Sequence, residues 1–329
     1  MPLNKAVVIE GDGIGPEIVR AAVDVINATG LSIDWEIQIA GLISLEKHGT
    51  VITQTALDSI RRCGVALKGP FSTPSGGNQR SANWYIRREL DLYANVRTLN
   101  APERNINIII VRENTEDLYG AIEWMATKDV AQAVKVTSRF GCERIARFAM
   151  DLAIRQNRHR VTIIHKANNL KMTDGMFLQI AMEVGKLYPQ IEVDDMLVDS
   201  AGAALISMPE KFDIMLMPNT YGDILSSVGA AVINGIGLVP SMNYGTGIAV
   251  AEAAHGSAPA LAGTHQANPL AIISAGAMMI DWMGYPLEAK AILNAILQIR
   301  MTPYSCGKYP TKEITSEIVR SVKKNLFGG

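Results

Sequence analysis

The sequence predicts an α/β fold on a largely parallel sheet, in two lobes that share strands through crossings of the chain. Three observations carry this. Short β-branched runs alternate with segments of helical periodicity, the signature of strand–helix–strand units. Two long uncharged stretches, Ile224 to Ala251 and Ala253 to Ile280, are broken by Gly, Pro, Asn and Ser. They read as buried core with tight turns, not as membrane spans. Neither an internal repeat nor a low-complexity linker separates the halves.

The elements follow in order. A strand over Ala6 to Ile9 leads through Gly11-Asp12-Gly13-Ile14-Gly15-Pro16-Glu17 into a helix from Glu17 to Asn27. The glycine spacing is GxGxG rather than GxGxxG, and Pro16 sits where a helix begins. A tight strand-to-helix turn is therefore a better reading than a dinucleotide fingerprint. A strand at Asp34 to Ile39 and a helix at Thr55 to Arg62 come next. Ser81 is a candidate N-cap for a helix that carries Asn83 and Arg87 on one face, four residues apart. Further strands are expected at Ile106 to Val111, Ala133 to Thr137, Val161 to Ile164 and Ile214 to Met217. Helices are expected at Cys142 to Gln156, Thr173 to Tyr188 and Ile272 to Trp282.

Composition narrows the function classes. A chain of 329 residues holds two or three ordinary domains or one large two-lobed one. With 48% apolar residues and a mean hydropathy of +0.13 it can bury a sizeable core. A net charge of −1 gives no global field toward nucleic acid or membrane. The basic clusters Arg87-Arg88 and Arg155 to Arg160 read as solvated helix faces. Cys63, Cys142 and Cys306 are odd in number and far apart, which suits a reducing cytosol or organelle matrix rather than a disulfide framework or zinc site. The chain starts almost directly on a strand with no targeting segment before it, although a form trimmed of a transit peptide would look the same.

Two segments carry the chemistry. Arg112-Glu113-Asn114-Thr115-Glu116-Asp117-Leu118-Tyr119 puts a cation and a phenol in one short element, and His165-Lys166-Ala167-Asn168 puts an amine at the mouth of an apolar strand. A Tyr and a Lys near arginines suit acid/base work on an anionic substrate once their surroundings lower the pKa values. Either segment alone also reads as a surface loop. Arg87, Arg97 and Arg112 lie on different elements and would suit a polycarboxylate if they converge. Asp199 and Asp223 are candidate ligands for a hard divalent cation, with helix capping equally open for Asp223. His255-Gly256-Ser257-Ala258-Pro259 is a Gly/Pro turn whose backbone suits a phosphate or adenine, or a purely structural role.

The motifs GDGIGPE (11–17), KGPFSTP (68–74), RSANWYIRRELDLYANVR (80–97), RENTEDLYGAIE (112–123), VTIIHKANNLKMTDG (161–175), PNTYGDILSS (218–227) and HGSAPALAG with ANP (255–269) run through the whole chain. Together they resemble the β-decarboxylating dehydrogenases, which comprise isocitrate, isopropylmalate, homoisocitrate and tartrate/malate enzymes. The resemblance implies an isocitrate/isopropylmalate dehydrogenase-like fold, not a Rossmann domain. It has a large lobe (1–93 and 234–329), a small lobe (94–233) and a clasp that builds a homodimer with shared active sites. It assigns Arg87, Arg97 and Arg112 to the substrate carboxylates, and Lys68 to a place beside the substrate. Tyr119 becomes the acid that protonates the enolate, and Lys166 the base for the C2 hydroxyl. Lys166 and Asp199 are expected from the partner subunit, and Asp199 and Asp223 are expected to hold Mg2+ or Mn2+. Thr73 and Asn168 match residues at the nicotinamide end of NAD, and His255, Gly256, Ala258 and Asn268 match the adenosine loop.

Within the family, Ser81 and Asn83 resemble the pair that isocitrate enzymes present to a third carboxylate. The expected reaction is therefore metal-dependent oxidative decarboxylation of isocitrate to 2-oxoglutarate and CO2, with another 3-substituted malate, a phosphonate analogue or a non-catalytic regulatory subunit as alternatives. Four positions depart from the pattern. Trp84 stands where a smaller residue is usual, and it could reshape the pocket or simply pack. Ser227 replaces an Asp, which predicts weaker metal binding. Ala260, with Leu261 beside it, lacks both the acid of NAD enzymes and the basic marks of NADP enzymes, so NAD is favoured and NADP stays open. Thr98 replaces a Pro, which only loosens a turn. The partners expected are the small polycarboxylate and a second copy of the chain, without nucleic acid or membrane.

Overall fold

The computed structural model describes residues 3–73, 80–302, 304 and 309–328. Pro74 and Cys306 lie outside them. Along the chain run β1 (Lys5–Ile9), α1 (Gly15–Asn27), β2 (Asp34–Gln38), α2 (Leu42–His48), α3 (Gln54–Cys63), β3 (Val65–Lys68) and α4 (Ala82–Glu89). They continue with β4 (Ala94–Ala101), β5 (Ile106–Glu113), β6 (Glu123–Thr127), β7 (Val130–Ala133), α5 (Arg139–Arg155), β8 (Arg160–His165), α6 (Thr173–Gly185), β9 (Glu192–Leu197), α7 (Val198–Ser207), β10 (Ile214–Met217) and α8 (Asn219–Val232). The last are β11 (Pro240–Gly245), β12 (Ile248–Ala253), α9 (Leu270–Trp282), α10 (Pro286–Arg300) and α11 (Thr311–Phe327).

The chain divides into two compact units, Met1–Leu92 with Ile236–Gly329, and Tyr93–Gly235. In the first unit β1 pairs in parallel with both β2 and β3, and β3 pairs in parallel with β12. β12 closes antiparallel on β11. In the second, β5, β10, β8 and β9 are parallel neighbours, and β4 returns antiparallel on β5. Each unit thus combines a parallel sheet with one antiparallel hairpin, the mixed α/β architecture expected.

Burial explains why these runs become strands. Val65-Ala66-Leu67-Lys68 and Ile214-Met215-Leu216-Met217 are buried at every position, as parallel strands covered on both faces should be. The uncharged stretch 253–280 forms α9, buried at ten positions from Leu270 to Ile280, with no polar face to present to water. Among the described residues no helix is long and apolar enough to cross a membrane.

The GxGxG segment is the turn expected. Gly11 and Gly13 have φ of +76° and +60°, and Pro16 sits in the first turn of α1. A Cβ on Gly13 would lie 2.0 Å from the Ser257 carbonyl oxygen. The Asp12 carboxylate accepts from the backbone N–H of Leu42 (2.9 Å) and of Ser72 (2.8 Å). The Ser72 and Ser257 hydroxyls are 2.7 Å apart. The segment therefore ties together the loops after β1, β2, β3 and β12.

One expected strand is corrected. Of Ala133 to Thr137, only Ala133 belongs to a strand, and Val136 forms a single bridge to Asp117. The strand lies earlier, in the β6–β7 hairpin, and every residue of its two strands is exposed. Lys135 instead turns inward to an ion pair.

Candidate active site

In the second unit, antiparallel pairing of β4 and β5 sets Arg97 opposite Ile110 and places Arg112 two residues further along β5. Both guanidinium groups reach the first turns of α8. Arg112 Nε donates to Asn219 Oδ1 (2.9 Å) and its Nη1 to Asp223 Oδ1 (2.6 Å). Arg97 donates to the Ser226 hydroxyl, and its Nη2 lies 3.5 Å from Asp223 Oδ1. Gly222 makes room for this: a Cβ there would sit 2.5 Å from the Arg112 side chain. The Tyr119 hydroxyl donates to Asp223 Oδ2 (3.0 Å), and its ring lies 5.5 Å from the Arg112 guanidinium. Arg97, Arg112, Tyr119 and Asp223 therefore converge. Burial and the Asp223 carboxylate push the Tyr119 phenol above its ordinary pKa, against the pull of Arg112. This corrects the expectation of a lowered value.

Tyr119 sits on a short 3-10 turn, Leu118–Gly120, between two non-glycine residues with left-handed φ, Asp117 (+69°) and Ala121 (+62°). With ψ of −155°, Asp117 occupies a region that is nearly reserved for glycine and costs about 1–3 kcal/mol. Its carboxylate is held on every side. Oδ1 accepts from Leu118 N–H (2.8 Å) and Lys135 Nζ (2.8 Å), and Oδ2 accepts from Thr220 N–H (2.8 Å). Burial pushes that carboxyl up, but Lys135 and the two amides outweigh it and hold it below its ordinary pKa.

Lys166 follows β8 and pairs with Asp199 on the first turn of α7, Nζ to Oδ1 at 2.8 Å. The Lys166 ammonium holds the exposed Asp199 carboxyl below its ordinary range. No hydrogen bond or ion pair joins Lys166 or Asp199 to Tyr119 or Asp223 within this chain. Asn168 is exposed on the turn after β8.

In the first unit, Lys68 at the end of β3 and Arg87 on α4 both meet Glu252 on β12. Lys68 forms a close ion pair with Glu252 Oε2, and Arg87 Nη2 lies 3.3 Å from Oε1. Asn243 Nδ2 donates to the same Oε1 (2.7 Å). Burial lowers the Lys68 pKa. Burial would also raise Glu252, but the two cations prevail and keep it ionised well below the ordinary carboxylate range. Ser81 caps α4, accepting from Trp84 N–H (3.3 Å). Asn83 carries its Oδ1 buried and without a hydrogen-bond partner. Trp84 packs edge-on against Tyr85 and under the Arg88 guanidinium.

The 255–268 segment presents backbone more than side chains. His255 Nδ1 lies 2.9 Å from Gly256 O, and burial lowers its pKa. A Cβ on Gly256 would meet nothing within 4 Å. Ala258 has φ of +40° and opens the short turn that carries Ala260 and Leu261, while Asn268 Oδ1 accepts from Leu270 N–H (3.0 Å) at the start of α9. Thr73 is exposed.

The sequence reading missed Asn219, Ser226, Asp117, Lys135, Asp174, Asn243 and Glu252. Glu252 had a signal, being the single Asp, Glu, Lys or Arg between Ile224 and Ile280. Asp117 and Asp174 lie inside recognised motifs, and nothing local marks Lys135.

The sequence profile described as isocitrate/isopropylmalate dehydrogenase matches residues 5–322. The chain belongs to this family. It is an NAD(P)-dependent decarboxylating dehydrogenase, an oxidoreductase. A homoisocitrate dehydrogenase of Methanocaldococcus jannaschii is 40% identical over 99% of this chain and 100% of its own. A mitochondrial NAD isocitrate dehydrogenase catalytic subunit of Arabidopsis thaliana is 37% identical over 98% of this chain and 88% of its own. The crystal structure of isocitrate dehydrogenase from Methylococcus capsulatus superposes with a TM-score of 0.93 at 43% identity, covering 97% of this chain and 99% of that one.

Among the described residues of one chain, no group of three or more His, Cys, Asp or Glu side chains could hold a metal ion. The Asp223 carboxylate faces the Arg97–Arg112–Tyr119 cluster. Its chemistry suits a hard cation, with the remaining oxygen donors coming from elsewhere. The Ser227 hydroxyl donates back to the Asp223 carbonyl (3.2 Å), and a neutral hydroxyl is a weaker ligand for such a cation than a carboxylate.

Proposed function

We propose that this dehydrogenase oxidatively decarboxylates isocitrate, with homoisocitrate as the nearest competitor. The observation that carries the reading is Asn83. Its half-buried amide, with Oδ1 unpartnered, stands on the first turn of α4, two residues from the Ser81 hydroxyl. A third carboxylate on the substrate would accept from the Asn83 Nδ2 and from the Ser81 hydroxyl. An apolar isopropyl group would not.

In this reading Arg87, Arg97 and Arg112 bind carboxylates, each through the planar fork that suits them, and Lys68 flanks the substrate. Bound NAD would accept hydride from C2, and bound Mg2+ or Mn2+ would polarise the resulting carbonyl. Asp223 is the ligand this chain offers that metal, with Asp199 of a second copy as the other. Lys166 of that second copy takes the C2 hydroxyl proton. Tyr119, held protonated, returns a proton to carbon after CO2 leaves. Thr73, Asn168, His255, Gly256, Ala258 and Asn268 serve the nucleotide. NAD is favoured because Ala260 and Leu261 put no cation where a 2′-phosphate would need one.

Two features support the dimer. Neither Lys166 nor Asp199 bonds to Tyr119 or Asp223 within one chain, and the β6–β7 hairpin exposes Trp124, Met125 and Val130. Such an apolar ribbon is suited to pair with its copy. A reducing compartment, the cytoplasm or an organelle matrix, fits the buried free thiols of Cys63 and Cys142; burial pushes the latter's pKa up to about 12.

The test is turnover of isocitrate, homoisocitrate and 3-isopropylmalate with Mn2+ and either NAD or NADP, followed by absorbance of the reduced nicotinamide. Isocitrate should give the highest kcat/KM. A preference for 3-isopropylmalate would overturn the assignment of Asn83.

A further inference from the structure

We propose that Lys135 is a positioning residue, clamping the Tyr119 turn and the Lys166 loop in register through two buried carboxylates. The roles of Tyr119 and Lys166 come from the function proposed above, and the clamp rests on that reading. Its ammonium donates to Asp117 Oδ1 (2.8 Å) and lies 3.3 Å from Asp174 Oδ1. Asp117 and Asp174 are 2% and 0% exposed, so two buried negative charges share one cation. No hydrogen bond reaches Asp174 Oδ1, which leaves its compensation to the ammonium.

The other contacts of the two carboxylates show what the cation secures. Asp117 accepts from Leu118 N–H, next to Tyr119, and from Thr220 N–H, in the first turn of the helix that carries Asp223. Asp174 Oδ2 accepts from Lys166 N–H (2.7 Å) and from the Tyr221 hydroxyl (2.9 Å), and the ammonium lies 4.9 Å from the Tyr221 ring centre. The amide that bears the lysine, the turn that bears the tyrosine and the start of α8 thus hang on one cation. Asp117 holds a glycine-like backbone conformation while making these contacts. A structure tolerates such strain where surrounding contacts over-determine it, and Lys135 is the charged member of that set. Without it both carboxylates are buried and under-compensated, and the contacts they hold loosen.

Lys135→Met keeps the length of the side chain and removes its charge, and Lys135→Arg restores the charge. Amide hydrogen exchange on the purified protein should be faster in Lys135→Met at 117–121 and 165–170 together, and near wild type in Lys135→Arg. Per cofactor-binding site, kcat should fall by at least about tenfold, since misplacement by an ångström can cost roughly a hundredfold. The KM for the nucleotide should stay unchanged, and Lys135→Arg should recover most of the loss. Unchanged exchange in both segments, or a kcat loss that Lys135→Arg does not repair, would overturn the clamp. If Lys135→Met fails to fold, Asp117→Asn is measured in the same way, with the same expectation and the same refutation. A wild-type protein inactive on every 3-substituted malate would sink the functional reading, while the exchange result would still decide the clamp.

Discussion

The Tyr119 phenol is kept protonated by its burial and by the Asp223 carboxylate that accepts its hydrogen bond. That environment suits a proton donor, and a cation drawing charge from Asp223 would ease the release. Tyr119→Phe should therefore lower kcat by about 10²-fold or more while leaving the substrate KM within a few-fold, as steady-state kinetics will show. Asp223 and Ser227 share one face of α8, four residues apart. The serine hydroxyl points back at its own helix. Ser227→Asp adds a second carboxylate to that face, and the Mn2+ concentration for half-maximal activity should fall. These details were only partly legible from sequence. Arg97, Arg112, Tyr119 and Asp223 stand in motifs, and so do the partners that aim them, Asn219 and Ser226, but that aiming exists only once α8 packs beside β5. Glu252 could be picked out because it is a charge alone in an apolar stretch.

Among the elements, α5 illustrates what the chain specifies locally. Ser138 caps it, accepting from Gly141 N–H (2.9 Å) and donating to Glu116, whose other oxygen accepts from Ser138 N–H (2.8 Å). The cap thus anchors α5 to the segment that leads to Tyr119. Ser138→Ala should cost about 1 kcal/mol in urea denaturation. The strands and helices with strong periodicity were readable, because burial on both faces leaves an uninterrupted apolar run and a buried helix leaves no charge. The β6–β7 hairpin was not, because both its faces are exposed and no alternation survives. The expected strand at 133–137 failed for a related reason. Its alternation puts Lys135 where a solvent-facing strand residue belongs, yet two carboxylates distant in sequence draw that side chain inward. Local pattern cannot register a long-range ion pair.

For the molecule as a whole, near-neutral charge conceals strongly charged interiors. The Lys68–Glu252–Arg87 group lies in one unit and the Asp117–Lys135–Asp174 group in the other. Glu252 has a folded-state pKa below its ordinary 4.5. The stability it contributes is fully present above pH 4.5 and is lost as the pH falls below that value. Glu252→Gln should cost about 3–5 kcal/mol at pH 7. Urea titrations from pH 7 to pH 3 should show a shallower loss of stability in acid than the wild type. The mixed α/β class was legible from the alternation of segments, but the contacts of these charged groups were not, since each joins residues far apart along the chain. The clamp at Lys135 carries a further consequence for inheritance. In the proposed dimer, where the tyrosine of a subunit would serve one active site and its lysine the other, a defective clamp in one member of a mixed pair would disturb both. A damaged allele would then poison the product of an intact one, and the lesion would behave as dominant rather than recessive.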